Sequence, residues 1–156
     1  MSIKINSKIV SEKKNPFIIA EMSGNHNQSL SVALKIVKGV AEAGADAIKL
    51  QTYTADTMTL DISEGKFFIH DKKSLWKGKS LYQLYKKAYT PWECHKPIIE
   101  KANQLGILCF SSPFDETAVD FLDDLNVPAY KIASFENAHI PLIKKIASKK
   151  KPIIVK

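Results

Sequence analysis

The stretch Ala47-Ile48-Lys49-Leu50-Gln51-Thr52 decides how this chain is read. As a β-strand it sends Ile48 and Leu50 to one face and Lys49 and Gln51 to the other, because successive side chains alternate across the pleat. An ammonium between Ile and Leu inside a strand costs several kcal/mol unless an anion or a carboxylate compensates it. The situation recurs at Lys131, in Ala129 to Ala133. A bound polyanion would satisfy both lysines; pairing of each with a carboxylate such as Glu21 or Glu136 is the purely structural alternative.

Outward from this strand the chain repeats one rhythm. Phe17-Ile18-Ile19-Ala20 reads as an earlier buried strand, followed by the turn-rich Ser23-Gly24-Asn25-His26-Asn27. Leu30, Ala33, Leu34, Val37, Val40 and Ala41 then recur at helical spacing, with Ser29 to cap the start and Gly44 at the end. Beyond Thr52, the polar and aromatic segment from Tyr53 to Lys79 is too long for a plain connection and predicts a lid or binding loop. A short helix follows over 81–89. Thr90-Pro91-Trp92-Glu93 predicts a capping box with proline at the first helical position, opening a helix that ends at Leu105-Gly106 and is interrupted by Pro97. Three further strands are predicted at 107–110, 129–133 and 153–155, with helices over 116–125 and 141–148 between them. Ile3, Ile5, Ile9 and Val10 suit a short N-terminal hairpin.

Five alternations of strand and helix predict a parallel sheet with right-handed crossovers, either a barrel or a doubly wound sheet. A complete (β/α)8 barrel takes ~250 residues, so 156 residues supply a little over half of one.

Composition narrows the function classes. Hydrophobic residues make up 45% and charged residues 25%, as in soluble globular domains. The N-terminus alternates polar and apolar residues, and nowhere do roughly 18 apolar residues stand in a row. The expectation is a cytoplasmic protein with no membrane partner. The formal charge of +7 arises from 23 basic and 16 acidic residues, but the lysine doublets are scattered rather than gathered on one arm. That scatter argues against a nucleic-acid partner. Cys94 and Cys109 lack metal-ligand spacing and read as buried free thiols.

The polar residues gather where strands end: Glu21, then Lys49 and Gln51, then Ser111 and Ser112, then Lys131, Ser134 and Glu136. This is the face on which barrels and open α/β sheets build their sites. The helix start after Ser111-Ser112-Pro113-Phe114-Asp115 would also offer free amides to a phosphate.

These residues carry a resemblance. Ala20 to Asn27, Lys49 to Asp56, Ser111 to Asp115 and Lys131 to Glu136 are similar, in order, to the successive signatures of the sialic acid synthase family. Glu21 to His26, Tyr53 to Asp61, and Ser74 to Gly78 continuing to Thr90-Pro91-Trp92-Glu93 resemble its pseudaminic branch more than the N-acetylneuraminate or legionaminate branches. The resemblance implies a partial TIM (β/α)8 barrel over residues 1–156, about strands one to five behind a β-hairpin. The later strands and a C-terminal antifreeze-like domain have no counterpart in it. It implies an enzyme that condenses phosphoenolpyruvate with an acetamido sugar: C3 of phosphoenolpyruvate attacks the aldehyde, water adds at C2, and phosphate leaves by C–O cleavage. Lys49, Ser112, Lys131 and Ser134 would hold phosphoenolpyruvate, and Glu21 and Gln51 would orient the sugar. Glu21 and Glu136 would be the catalytic carboxylates that the resemblance implies, Glu136 for proton transfer or for steering water. His26 is a candidate substrate contact.

A divalent metal, manganese or magnesium, and a homodimer are expected of the full-length family. The two histidines that hold the metal belong to later strands without counterpart here; His70, His95 and His139 are not substitutes for them. A non-catalytic truncated product, and an aldolase-like barrel using Lys49 or Lys131 as a Schiff base, are the alternatives of other classes.

Overall fold

The computed structural model describes residues 2–155. An antiparallel hairpin comes first, β1 (Ser2–Ile5) with β2 (Lys8–Ser11). Five parallel strands follow: β3 (Ile19–Glu21), β4 (Ala47–Thr52), β5 (Leu108–Pro113), β6 (Tyr130–Ile132) and β7 (Ile153–Val155). Their spatial order is their chain order. A doubly wound sheet reverses direction at a switch point, whereas here each strand joins the same growing edge, as in a barrel wall. The choice that alternation leaves open is thereby made, and the sheet is half of a (β/α)8 barrel.

Helices α1 (Leu30–Glu42), α2 (Ala55–Met58), α3 (Leu81–Ala88), α4 (Trp92–Gln104), α5 (Glu116–Asp124) and α6 (Ile140–Ser148) connect the strands. The amphipathic stripe of α1 buries Ala33 and Val37 against the sheet, and α1 packs on α4. The sheet's two faces bury different sets. Ile48, Leu50, Cys109, Tyr130 and Ile132 join the helices in the main core. Ala47, Leu108, Phe110 and Ala129 face the barrel interior, where Ile5 and Val10 of the hairpin close the N-terminal end of the strands. Lys8 fastens the hairpin there, its Nζ 2.7 Å from Asp46 Oδ1, while Asp46 Oδ2 accepts from the Ile18 amide.

Boundaries differ from the predicted ones chiefly at helix starts. The predicted box at Thr90 does not form: Pro91 is itself the N-cap without a side-chain bond, and Trp92 is the first helical residue. Thr90 is buried, and its hydroxyl is engaged by His26. A capping box occurs instead one helix earlier, where Ser80 and Gln83 each accept from the other's amide at 3.2 Å. The segment from Tyr53 to Lys79 is ordered. It contains α2 and a 3₁₀ turn over Gly65–Phe67, and an antiparallel bridge joins Phe68 to Ser80. No helix among the described residues is long and apolar enough to cross a membrane.

Candidate active site

The interior face of the sheet changes character along its length. Below, Ala47 and Leu108 are opposite one another in an apolar layer. Two residues further along each strand stands Lys49 opposite Phe110, and two further still Gln51 opposite Ser112. The pleat therefore delivers the polar groups to the strands' C-terminal ends, with Glu21 paired to Lys49 from the neighbouring strand. A cleft of about 350 Å³ opens there, lined by Glu21, Lys49, Gln51, Ser112, Lys131 and Ser134. Six of the eight residues expected from the sequence thus share one cavity.

The cleft is lined by two lysines and one carboxylate. Lys49 is almost fully buried and its Nζ lies 2.7 Å from Glu21 Oε2; Glu21 remains half exposed. Of the two explanations for a lysine inside the strand, the carboxylate partner is present, and its exposure leaves it free to exchange with solvent or ligand. Lys131 Nζ donates to the Ile132 carbonyl at 3.1 Å. Ser112 Oγ is buried at the cleft with no hydrogen-bond partner among the described residues. An unsatisfied buried hydroxyl costs about 1–3 kcal/mol, which an anionic oxygen arriving in the cleft would recover. The opposite wall is apolar and aromatic: Met58, Tyr85, Phe114 and the highly exposed Phe135. Buried Tyr53 braces it with edge contacts, its centroid 5.8 Å from Tyr85 and 5.5 Å from Phe114. Burial pushes the Tyr53 phenol up to about 12, so it stays protonated.

Two expected residues lie elsewhere. Glu136 ends a 3₁₀ turn, Ser134–Glu136, whose first two residues line the cleft, but its own carboxylate pairs with His139 Nδ1 at 3.1 Å. His26 is buried with both ring nitrogens engaged: Nδ1 accepts from the Gln28 amide at 2.9 Å, so Nε2 donates to Thr90 Oγ1 at 3.0 Å. It ties the loop after β3 to the start of α4 and does not line the cleft. Nor are the amides at the start of α5 open to a phosphate, because Asp115 Oδ1 caps them, accepting from Thr117 and Ala118.

Sequence reasoning missed a second polar layer on the helix side of the sheet. Thr52 Oγ1 lies 2.7 Å from Ser111 Oγ and 2.9 Å from His95 Nε2, and His95 Nδ1 reaches the Pro91 carbonyl at 3.3 Å; Thr52, Ser111 and His95 are all fully buried. Burial holds the His95 imidazole down at about 4. The available signal was Thr52 itself, a polar residue on the face that Ile48 and Leu50 mark as core.

Among the described residues no three His, Cys, Asp or Glu side chains converge to hold a metal. The cleft's lining carboxylate, Glu21, is already engaged by Lys49. These donors alone do not form a divalent-metal site. Cys94 and Cys109 are buried free thiols, that of Cys109 pushed up to about 12 by burial.

A parallel sheet of five strands in chain order, with a cleft at its strand ends that holds two lysines and a carboxylate, defines an α/β fold of the barrel class. Residues 36–156 match the NeuB family, and the chain belongs to that family. It is 51% identical over 142 residues to the pseudaminic acid synthase of Campylobacter jejuni, a match covering 91% of this chain and 41% of that protein. It is 39% identical to the N,N'-diacetyllegionaminic acid synthase of Legionella pneumophila, over 89% of this chain and 38% of that one. The crystal structure of N-acetylneuraminic acid synthetase from Leptospira borgpetersenii superposes with a TM-score of 0.84 at 26% identity, covering 99% of this chain and 49% of that one. The chain thus spans about two-fifths of the length of the curated relatives it matches.

Proposed function

We propose that the chain forms the phosphoenolpyruvate-binding side of a pseudaminic acid synthase, which condenses phosphoenolpyruvate with 2,4-diacetamido-2,4,6-trideoxy-altrose to give pseudaminic acid and phosphate. The observation that carries this reading is the cleft itself, where two lysines and an unsatisfied buried hydroxyl meet at the strand ends. Higher identity to a pseudaminic than to a legionaminic acid synthase supports the branch.

In this scheme Lys49 and Lys131 neutralise the phosphate and carboxylate of phosphoenolpyruvate, and Ser112 and Ser134 donate hydrogen bonds to its oxygens. Preorganised donors of this kind matter most as charge moves onto the departing phosphate. Glu21 and Gln51, side by side on adjacent strands, orient the open-chain sugar so that C3 of phosphoenolpyruvate faces its aldehyde. Glu136, on the turn that supplies Ser134, would have to turn from His139 toward the cleft to steer the water that adds at C2 or to move its proton. The aromatic wall excludes bulk water from one side. A manganese or magnesium ion would polarise the aldehyde, with ligands from outside the described residues. The whole protein would act as a cytoplasmic homodimer.

The test is phosphate release by the full-length protein given phosphoenolpyruvate, the diacetamido sugar and manganese. Release dependent on both substrates is expected. Release with N-acetylmannosamine but not with the trideoxy sugar would overturn the branch, and borohydride trapping of a keto substrate on Lys49 or Lys131 would overturn the mechanism.

A further inference from the structure

The buried pair of hydroxyls behind the cleft is joined in one direction only. The Pro91 carbonyl can only accept, so His95 Nδ1 carries the imidazole proton. The neutral ring then presents a bare Nε2, and Thr52 must donate to it. Thr52 has a single proton, so Ser111 donates to Thr52. The order is Ser111 to Thr52 to His95 to the Pro91 carbonyl, crossing from β5 through β4 to α4. Phe121 seals the ring edge-on, with centroids 5.3 Å apart. Each hydroxyl stands next in sequence to a cleft residue: Thr52 follows Gln51, and Ser111 precedes Ser112. Gln51 and Ser112 are also register partners across β4 and β5.

We propose that His95 is a positioning residue for the cleft: through its bond to Thr52, and that of Thr52 to Ser111, it fixes the ends of β4 and β5 so that Gln51 and Ser112 hold their places before substrate arrives. A pleated strand cannot rotate one residue without turning its neighbour the opposite way, so a clamp on the helix-side residues sets the aim of the cleft-side ones. His26 holds the other side of the same junction with the opposite tautomer, through Thr90 immediately before Pro91. The inference rests on the proposed function only where it speaks of phosphoenolpyruvate.

The test compares Thr52→Val, which removes the middle hydroxyl at nearly constant volume, with Thr52→Ser, which keeps it, in the full-length protein. His95→Leu and His95→Gln form a parallel pair, since the glutamine amide can offer an acceptor near the position of Nε2. Thr52→Val and His95→Leu should shift the Gln51 side-chain amide resonances and raise KM for phosphoenolpyruvate about tenfold, with kcat within about twofold. Thr52→Ser and His95→Gln should recover most of both. Histidine ¹⁵N spectra should show His95 protonated at Nδ1 alone.

A lowered Tm with unchanged KM and unmoved Gln51 resonances would overturn the proposal, since the network would then only hold the fold. An Nε2-protonated His95 would overturn it too. Should the unsubstituted protein neither turn over phosphoenolpyruvate nor bind inorganic phosphate, the functional reading alone would fall; the Gln51 resonances and the tautomer still decide the clamp.

Discussion

Lys49 and Glu21 face each other across neighbouring parallel strands, in register and 2.7 Å apart, with the lysine sealed from water and the carboxylate half in it. The carboxylate therefore competes with any anion for the same ammonium. Glu21→Gln should tighten inorganic phosphate binding by roughly three- to tenfold, because the cleft loses the one carboxylate that lines it among the described residues, while turnover falls with the sugar contact. Lys49→Met should weaken it by about 1.5–3 kcal/mol, the range for a hydrogen bond to a charged group. Titration calorimetry with phosphate checks both, and equal affinities in the two variants would refute the competition.

Ser112→Ala separates stability from binding. The hydroxyl has no partner among the described residues, so its removal should leave the Tm unchanged or raise it, by up to about 1 kcal/mol of stability. Phosphoenolpyruvate affinity should fall about tenfold in the same variant. A drop in Tm would mean the serine serves the fold.

Acid should unfold the protein through its buried imidazoles. Burial lowers His95 to about 4 and also lowers His26, while Glu93 pulls His95 the other way and His26 reinforces the depression. A folded-state value below the unfolded 6.5 means the unfolded chain binds more protons between the two. Stability is thus complete above about pH 6.5 and lost as pH falls toward 4, by up to roughly 3 kcal/mol from His95. Urea midpoints measured from pH 7.5 to 4.5 should show this slope, and His95→Gln should flatten it.

Gly24→Ala tests how the first strand-to-helix loop seats α3. A Cβ there would meet the Ala88 carbonyl oxygen at 2.9 Å and the Ala88 Cβ at 3.3 Å. Backbone does not yield easily, so the cost should be about 1–3 kcal/mol, and α3 should shift, carrying Tyr85 away from the cleft. Thermal melts and phosphate affinity together register the two effects.

How far the fold could be read from sequence depended on what each signal constrains. The β4 stretch was legible to the residue because a lysine and a glutamine alternating with Ile and Leu satisfy only one pleat. Lys49 and Gln51 followed from that alternation, whereas Ser112, Lys131 and Ser134 were expected from their place at the strand ends and from the family resemblance, Ser134 lying on a turn that no pleat governs. The box at Thr90 failed because Thr90 had a tertiary partner, His26, 64 residues away, and no local pattern records that. His95 escaped for a similar reason. On α4 it reads as an ordinary helical residue until Thr52 and Ser111 are seen behind it.

β4 has even-numbered residues among the helices and odd-numbered ones toward the cavity, and this parity has a consequence for variation. Deleting one residue between Gly44 and Lys49 would exchange the two sets at a stroke, turning Lys49 and Gln51 into the greasy layer and Ile48 and Leu50 toward the ligand. No gradual route leads through that state. A change of length is cheaper in a connecting segment such as that between Tyr53 and Lys79, while β4 itself accommodates replacement of single side chains.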